Sequence, residues 1–153
     1  MIRRAEKKDI PQIEKLLYQV NNIHAEGRPD LFKKDYKKYT EQELEEILLQ
    51  EERPVFAAVD GETLLGYAFC VFQQPQGNNM QPVRTLYIDD LCVDEKNRGQ
   101  HVGKQLYDYV LEYAKNNGCY NVTLNVWACN ESARRFYDKC GLRVQKTGLE
   151  IIL

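Results

Sequence analysis

The sequence predicts an α/β (α+β) fold with a mixed, mainly antiparallel central sheet flanked by helices. Three observations carry this reading. Two apolar runs, at 55–59 and 63–72, flank an Asp60-Gly61 turn in the manner of a hairpin. A long β-rich run over 83–93 feeds through a polar, Gly-flanked loop into a helical pattern beginning at Val102. The elements come in the order β-α-α-β-β-β-α-β-α, closed by one or two strands. A doubly wound Rossmann domain would alternate strand and helix throughout.

Each element has a local cause. Residues 2–5 form a short strand. Asp9 reads as an N-cap with Pro11 in the first turn, where a missing N–H costs little. Ile10, Ile13, Leu16, Leu17, Val20 and Ile23 follow at helical spacing. The polar stretch 26–39, with Gly27 and Pro29, reads as a loop. Thr40 and Glu43 form a capping box for a second helix, whose apolar face is Leu44, Ile47 and Leu48. Arg53-Pro54 ends it, and the hairpin follows. The helix over 102–116 carries the stripe Leu106, Tyr109, Val110, Tyr113 and Ala114 and stops at Asn117-Gly118. Val122, Leu124 and Val126 alternate as a strand, Asn130–Cys140 is a short helix closed by Gly141, and 142–153 holds one or two final strands.

Bulk properties narrow the function. A chain of 153 residues is expected to form one domain over 1–153, burying roughly 70% of its unfolded surface. A net charge of −2 gives no support for a nucleic-acid partner. The five cysteines are odd in number and include no Cys-x-x-Cys pair, so neither a disulfide framework nor a metal site is expected. No apolar run approaches the ~20 residues that span a bilayer, and the first residues lack a signal-type apolar region; a cytoplasmic protein without a membrane partner is expected.

Two motifs carry chemistry. The stretch from Asp89 through Val93 to Lys104 places a strand, a Gly-flanked loop and a helix N-terminus in that order. The free N–H groups of a first helical turn and the helix dipole favour an anion there. A Walker loop is excluded, because Gly103-Lys104 lacks the upstream Gly and the following Ser/Thr; a dinucleotide fingerprint fails for want of a third Gly. Farther on, Asn130 is a good N-cap, and Ala133, Phe136 and Tyr137 share one helix face. A phenol on an inward face needs a hydrogen-bond partner, and a reactive ligand can be that partner.

Asn130, Ala133, Tyr137, Gly141 and Leu142 match N-x-x-A-x-x-x-Y-x-x-x-G-[FL], the closing motif of the GNAT superfamily of N-acetyltransferases. Arg98 to Gly103 resembles that family's acetyl-CoA motif, [QR]-x-x-G-x-[GA], with His101 standing where the family has its central Gly. The chain resembles the family over essentially its whole length. The resemblance implies that Leu91 and Val93 hold the pantetheine arm through backbone groups. It implies that Arg98, Gly99, Gln100, His101, Val102, Gly103 and Lys104 surround the pyrophosphate. Asn130 would meet the cofactor near its pantetheine, and Tyr137 would point at the thioester sulfur. The strands ending near Val93 and Trp127 would splay apart around it.

An amine attacks a thioester only when neutral, and a lysine-like amine is neutral about once in a thousand molecules at pH 7. A base must take its proton, and an N–H must face the carbonyl oxygen; the amide of Cys92 or Val93 is the candidate. Asp89 and Asp90 are the candidate bases. On a regular strand they point to opposite faces, so only one meets the cleft. Some polyamine and amino-sugar members of the family carry a carboxylate where Asp89 falls, which makes Asp89 the expected base and leaves Asp90 to orient the amine or to serve structure. Tyr67 and Tyr87 are candidates for the acceptor pocket. The expected activity is transfer of acetyl from acetyl-CoA to a primary amine, on a small molecule or a peptide, by direct attack. The alternative is a CoA- or acyl-CoA-binding sensor of the same fold with little activity. The acceptor would be chosen by the loops at 21–39 and 73–82, and homodimer formation, common among relatives, stays open.

Overall fold

The computed structural model describes residues 1–153. A five-stranded sheet runs in chain order, β1 (Ile2–Arg4), β2 (Val55–Asp60), β3 (Thr63–Gln73), β4 (Thr85–Val93) and β5 (Asn121–Leu124). Neighbours pair antiparallel except β4 and β5, which are parallel. The helices are α1 (Ile10–Gly27), α2 (Glu41–Leu48), α3 (Val102–Asn116) and α4 (Glu131–Lys139). The fold is the mixed, mainly antiparallel sheet with flanking helices that the sequence predicts. No helix is long and apolar enough to cross a membrane.

The two faces of the sheet bury separate cores. On one, Ile10, Ile13, Leu16 and Leu17 of α1 and Leu44 and Ile47 of α2 pack on Val55, Ala57, Tyr67 and Phe69. On the other, Val102, Leu106, Val110 and Ala114 of α3 pack on Phe56, Ala58, Ala68, Cys70, Leu86 and Ile88. The spacing of these helical residues puts them on one stripe, as apolar periodicity requires. Tyr107 joins that stripe in place of Tyr109, which is exposed along one side while its ring meets Phe56.

Three local expectations are corrected. Asp9 does not cap α1 with its side chain; a single 3₁₀ turn precedes the helix, and the Asp9 carboxylate accepts from the Glu6 N–H at 2.7 Å and from Arg3 at 2.7 and 2.9 Å. Those bonds outweigh the burial that opposes its charge, and its pKa lies below the usual carboxylate range. The strand expected through Val126 ends at Leu124, where the chain leaves the sheet. No strand forms over 142–153: the Leu142 N–H closes α4 on the Tyr137 carbonyl, Arg28 pairs with Glu150, and Leu149, Ile151, Ile152 and Leu153 stay exposed. The outer edge of β5 stays unpaired, so strand-like composition alone does not bring these residues into the sheet.

Candidate active site

The site is set by an irregularity in β4. Opposite β3, Asp90 pairs with Phe69 while Ile88 pairs with Cys70, so Asp89 is an extra residue in the ladder. Such a bulge shifts the alternation of side chains by one. Before it, Leu86 and Ile88 face α3; after it, Leu91 and Val93 face α3 and Cys92 faces α1. The expectation that Asp89 and Asp90 point to opposite faces is therefore wrong. Both carboxylates lie on the α1 side, Asp89 accepting from Tyr39 and Asp90 from Tyr67, two residues of that core.

The two acids differ in what they hold. Asp89 accepts two bonds from the Lys38 ammonium, both at 2.9 Å, and one from the Tyr39 hydroxyl at 2.7 Å. Arg53 in turn donates to the Tyr39 oxygen at 3.2 Å. Asp90 accepts from the Tyr67 hydroxyl alone among side chains, at 2.7 Å. Burial lifts Asp90 to about 6, the Tyr67 bond and the Lys38 charge pulling the other way. Tyr67 does not line an open pocket: it is fully buried and serves to hold Asp90. Tyr87 accepts from Asn125 at 3.2 Å, beside a cleft of about 310 Å³ that also meets Thr123 and Lys146. Lys38, Tyr39 and Arg53 have no part in the site as read from the sequence; Lys38 and Tyr39 reach Asp89 across long stretches of chain, and no local spacing marks them.

Beyond Ile88 and Leu124, β4 and β5 stop pairing, while β4 runs on to Val93. The Asp94 N–H bonds the Leu65 carbonyl of β3. By alternation the N–H groups of Leu91 and Val93 point the other way, into the gap. The amide of Cys92 faces β3, and its thiol donates to the Leu16 carbonyl; burial pushes that thiol up to about 12. Of the two amides expected to meet a carbonyl oxygen, only that of Val93 opens onto the gap. Gly66 allows the strands this closeness, since a Cβ there would stand 2.6 Å from the Cys92 carbonyl oxygen.

The loop after β4 ends at the N-terminus of α3. His101 takes the left-handed conformation, φ 63° and ψ 15°, and gives α3 no side-chain cap; its first turn holds no acid. Histidine tolerates this region better than most residues, so the departure from Gly keeps a left-handed turn. Gly99 is also left-handed, at φ 83°. Gly103 lies against Phe136 of α4 and Val93 of β4, where an added Cβ would stand 3.4 and 3.6 Å away. The first turn of α3 thus sits directly on the free end of β4. Arg98 and Gln100 are exposed, and Lys104 pairs with Asp108 one turn along the helix.

Asn130 caps α4, its side-chain oxygen accepting from the Ala133 N–H at 3.2 Å. That bond leaves the Asn130 amide NH₂ and one lone pair of its oxygen for any other partner. Tyr137 packs with Phe136 on the α3 side, and its hydroxyl makes no hydrogen bond within the protein. Burial first, and the Asp90 charge second, raise this phenol well above its ordinary pKa. Tyr137 and Asp90 therefore approach the gap from opposite faces of the sheet. The loop between α1 and α2 reaches the segment after β5: the Phe32 ring lies 5.0 Å from His24 and 5.3 Å from Trp127. No group of three or more His, Cys, Asp or Glu is placed to hold a metal.

Residues 17–142 match the model of the acetyltransferase (GNAT) family. Thialysine N-epsilon-acetyltransferase of Mus musculus is 27% identical over 134 residues, 88% of this chain and 72% of that protein. Glucosamine 6-phosphate N-acetyltransferase of Arabidopsis thaliana is 36% identical over 56 residues, so the match spans only about a third of each chain, 37% of this one and 36% of that one. Among solved structures, a mutant of the BH1408 protein of Bacillus halodurans superposes with a TM-score of 0.95 at 30% identity, covering 100% of this chain and 99% of that one. The aminoglycoside N-acetyltransferase AAC(6')-Iy, crystallised with CoA, superposes with a TM-score of 0.74 at 18% identity over 100% and 98% of the two chains, a likeness of fold. With its bulged β4, its parted strands and its uncapped α3, this chain belongs to the GNAT acetyltransferase family.

Proposed function

We propose that the protein transfers the acetyl group of acetyl-CoA to a primary amine by direct attack. The observation that carries this reading is the meeting of three features at one gap: the open N–H groups of Leu91 and Val93, the uncapped N-terminus of α3, and Tyr137 opposite Asp90. The donor fits these residues. The free amides of Val102, Gly103 and Lys104, with exposed Arg98, suit a diphosphate. The edge of β4 suits the amide-bearing pantetheine arm as an added strand. As substrate, acetyl-CoA supplies an acetyl group on a thioester.

Asp90 is the base in this reading. Near pH 7 a carboxyl with a pKa of about 6 is ionised and still basic enough to accept the ammonium proton, directly or through one water. Asp89, which holds the Lys38 ammonium and the Tyr39 hydroxyl, serves to orient the amine. The N–H of Val93 meets the charge that grows on the carbonyl oxygen. Tyr137, kept protonated by its burial, hands its proton to the departing sulfur. Relatives named for acetylating a sugar amine and a lysine analogue support an amine acceptor.

A thiol-release assay with acetyl-CoA and a panel of amines tests the reading. Turnover of at least one primary amine, with a rise in melting temperature on adding CoA but not ATP or NAD, is expected. CoA binding without turnover of any amine would leave a binding module of this fold.

A further inference from the structure

The α1–α2 loop is tied to itself and to α1, and one of its side chains reaches β4 instead. The Asn21 amide donates to the Lys33 carbonyl at 2.7 Å, Asn22 accepts from the Asp35 N–H at 2.8 Å, and Lys37 pairs with Glu14 at 3.0 Å. This frame presents Lys38 to β4. Its ammonium sits astride Asp89 with the Tyr39 ring 5.4 Å away, and Arg53 braces the same ring from 5.7 Å. The Lys38 side chain is 50% exposed while the Asp89 side chain is 17% exposed. The Lys38 end of the pair faces solvent, so its stem can swing outward without moving the loop backbone.

We propose that Lys38 is a tethered competitor for the acceptor: its ammonium fills, at rest, the subsite on Asp89 and Tyr39 taken by a primary ammonium on an unbranched aliphatic chain. The inference rests on the acetyltransferase reading and sharpens its substrate class. A carboxylate, a phenol and an aromatic face together are what a desolvating alkylammonium needs. The neighbouring residue of β4, Asp90, is the proposed base, so an amine seated on Asp89 is one residue from the group that deprotonates it. A lysine stem enters this subsite; a sugar ring, with its amine on a branched carbon, does not share that shape.

The test compares wild type with Lys38→Met, Lys38→Arg and Lys34→Met, the last at an exposed lysine of the same loop with no ion pair, using 1,5-diaminopentane, Nα-acetyl-lysine and glucosamine at saturating acetyl-CoA. Lys38→Met is expected to lower KM for the two linear amines about fivefold, the most that a half-exposed pair is worth. Its KM for glucosamine should not fall, and both Lys38→Arg, which keeps the pair, and Lys34→Met should match wild type. An unchanged or higher KM for linear amines in Lys38→Met, or an equal fall for glucosamine, overturns the proposal. Calorimetry with 1,5-diaminopentane separates this from failure of the parent reading. If no protein turns over any amine, the transferase reading falls, and binding alone decides: tighter binding by Lys38→Met upholds the competitor, equal binding overturns it.

Discussion

Two helix N-termini flank the gap in the sheet, and they are finished in opposite ways. α4 begins on Asn130, whose side chain satisfies the Ala133 N–H. α3 begins on left-handed His101, with no side-chain cap and no acid in its first turn. A capped end contributes to its own helix, by about 1 kcal/mol for Asn in place of Ala. An uncapped end forgoes that stabilisation and keeps its donors for something else. α4 needs no ligand of its own because its task is to carry Tyr137 to the gap. α3 is anchored instead by Val102, Leu106 and Val110 in the core, which hold the helix firmly enough to leave its end bare. Packing on one element makes room for chemistry at its terminus.

Variants on these helices and on the strand between them sharpen the contrast. The largest effect is expected from Tyr137→Phe, which removes the proton donor: kcat should fall by about 10²-fold while the dissociation constant of acetyl-CoA hardly moves. An equal loss of binding would mean that α4 grips the donor, as α3 does. Next comes Asp90→Asn, with a fall in kcat of similar order and loss of the limb of the pH–rate profile near pH 6. The same change should raise the melting temperature. Between the unfolded carboxyl value near 3.8 and the folded value of about 6, the folded state holds the proton more tightly. This contribution to stability is full below the unfolded value and is lost as the pH rises through the folded one. About two pKa units set a ceiling of about 3 kcal/mol on the penalty at neutral pH, less after solvent screening. Thermal melts of wild type and variant from pH 4 to pH 8 read it directly.

His101→Asp gives α3 the negative charge it lacks and is tolerated in the left-handed region. Acetyl-CoA binding should weaken about tenfold, as the new carboxylate repels a diphosphate, while stability rises by about 0.5 kcal/mol. The smallest effect is expected at the other end of the comparison. Asn130→Ala should lower the melting temperature by about 3 °C and leave donor binding nearly intact. If Asn130→Ala weakened binding as much as His101→Asp, the contrast between the two ends would collapse.

Much of this arrangement is legible in the residues alone. The Asp60-Gly61 hairpin, the Thr40–Glu43 box, the span of α3 and the Asn130 cap are each written in a few neighbouring residues, and each is found where the sequence puts it. The bulge at Asp89 is not, because nothing in Ile88-Asp89-Asp90-Leu91 marks an extra residue; it arises from what β3 offers across the ladder. The partners of Asp89 escape for the same reason, since Lys38 and Tyr39 lie 51 and 50 residues away along the chain. The exposed tail misleads in the other direction: Leu149 to Leu153 has the composition of a strand, and composition does not decide whether a segment joins a free edge.

The bulge also gives one residue of β4 over to a second acid. Remove Asp89, and the strand regains even alternation with Ile88, Leu91 and Val93 still against α3 and Cys92 still against α1. Both cores and the outward amides would keep their places, and a single carboxylate would be left on that face. An even ladder has room there for one such group; the surplus residue is what seats two side by side.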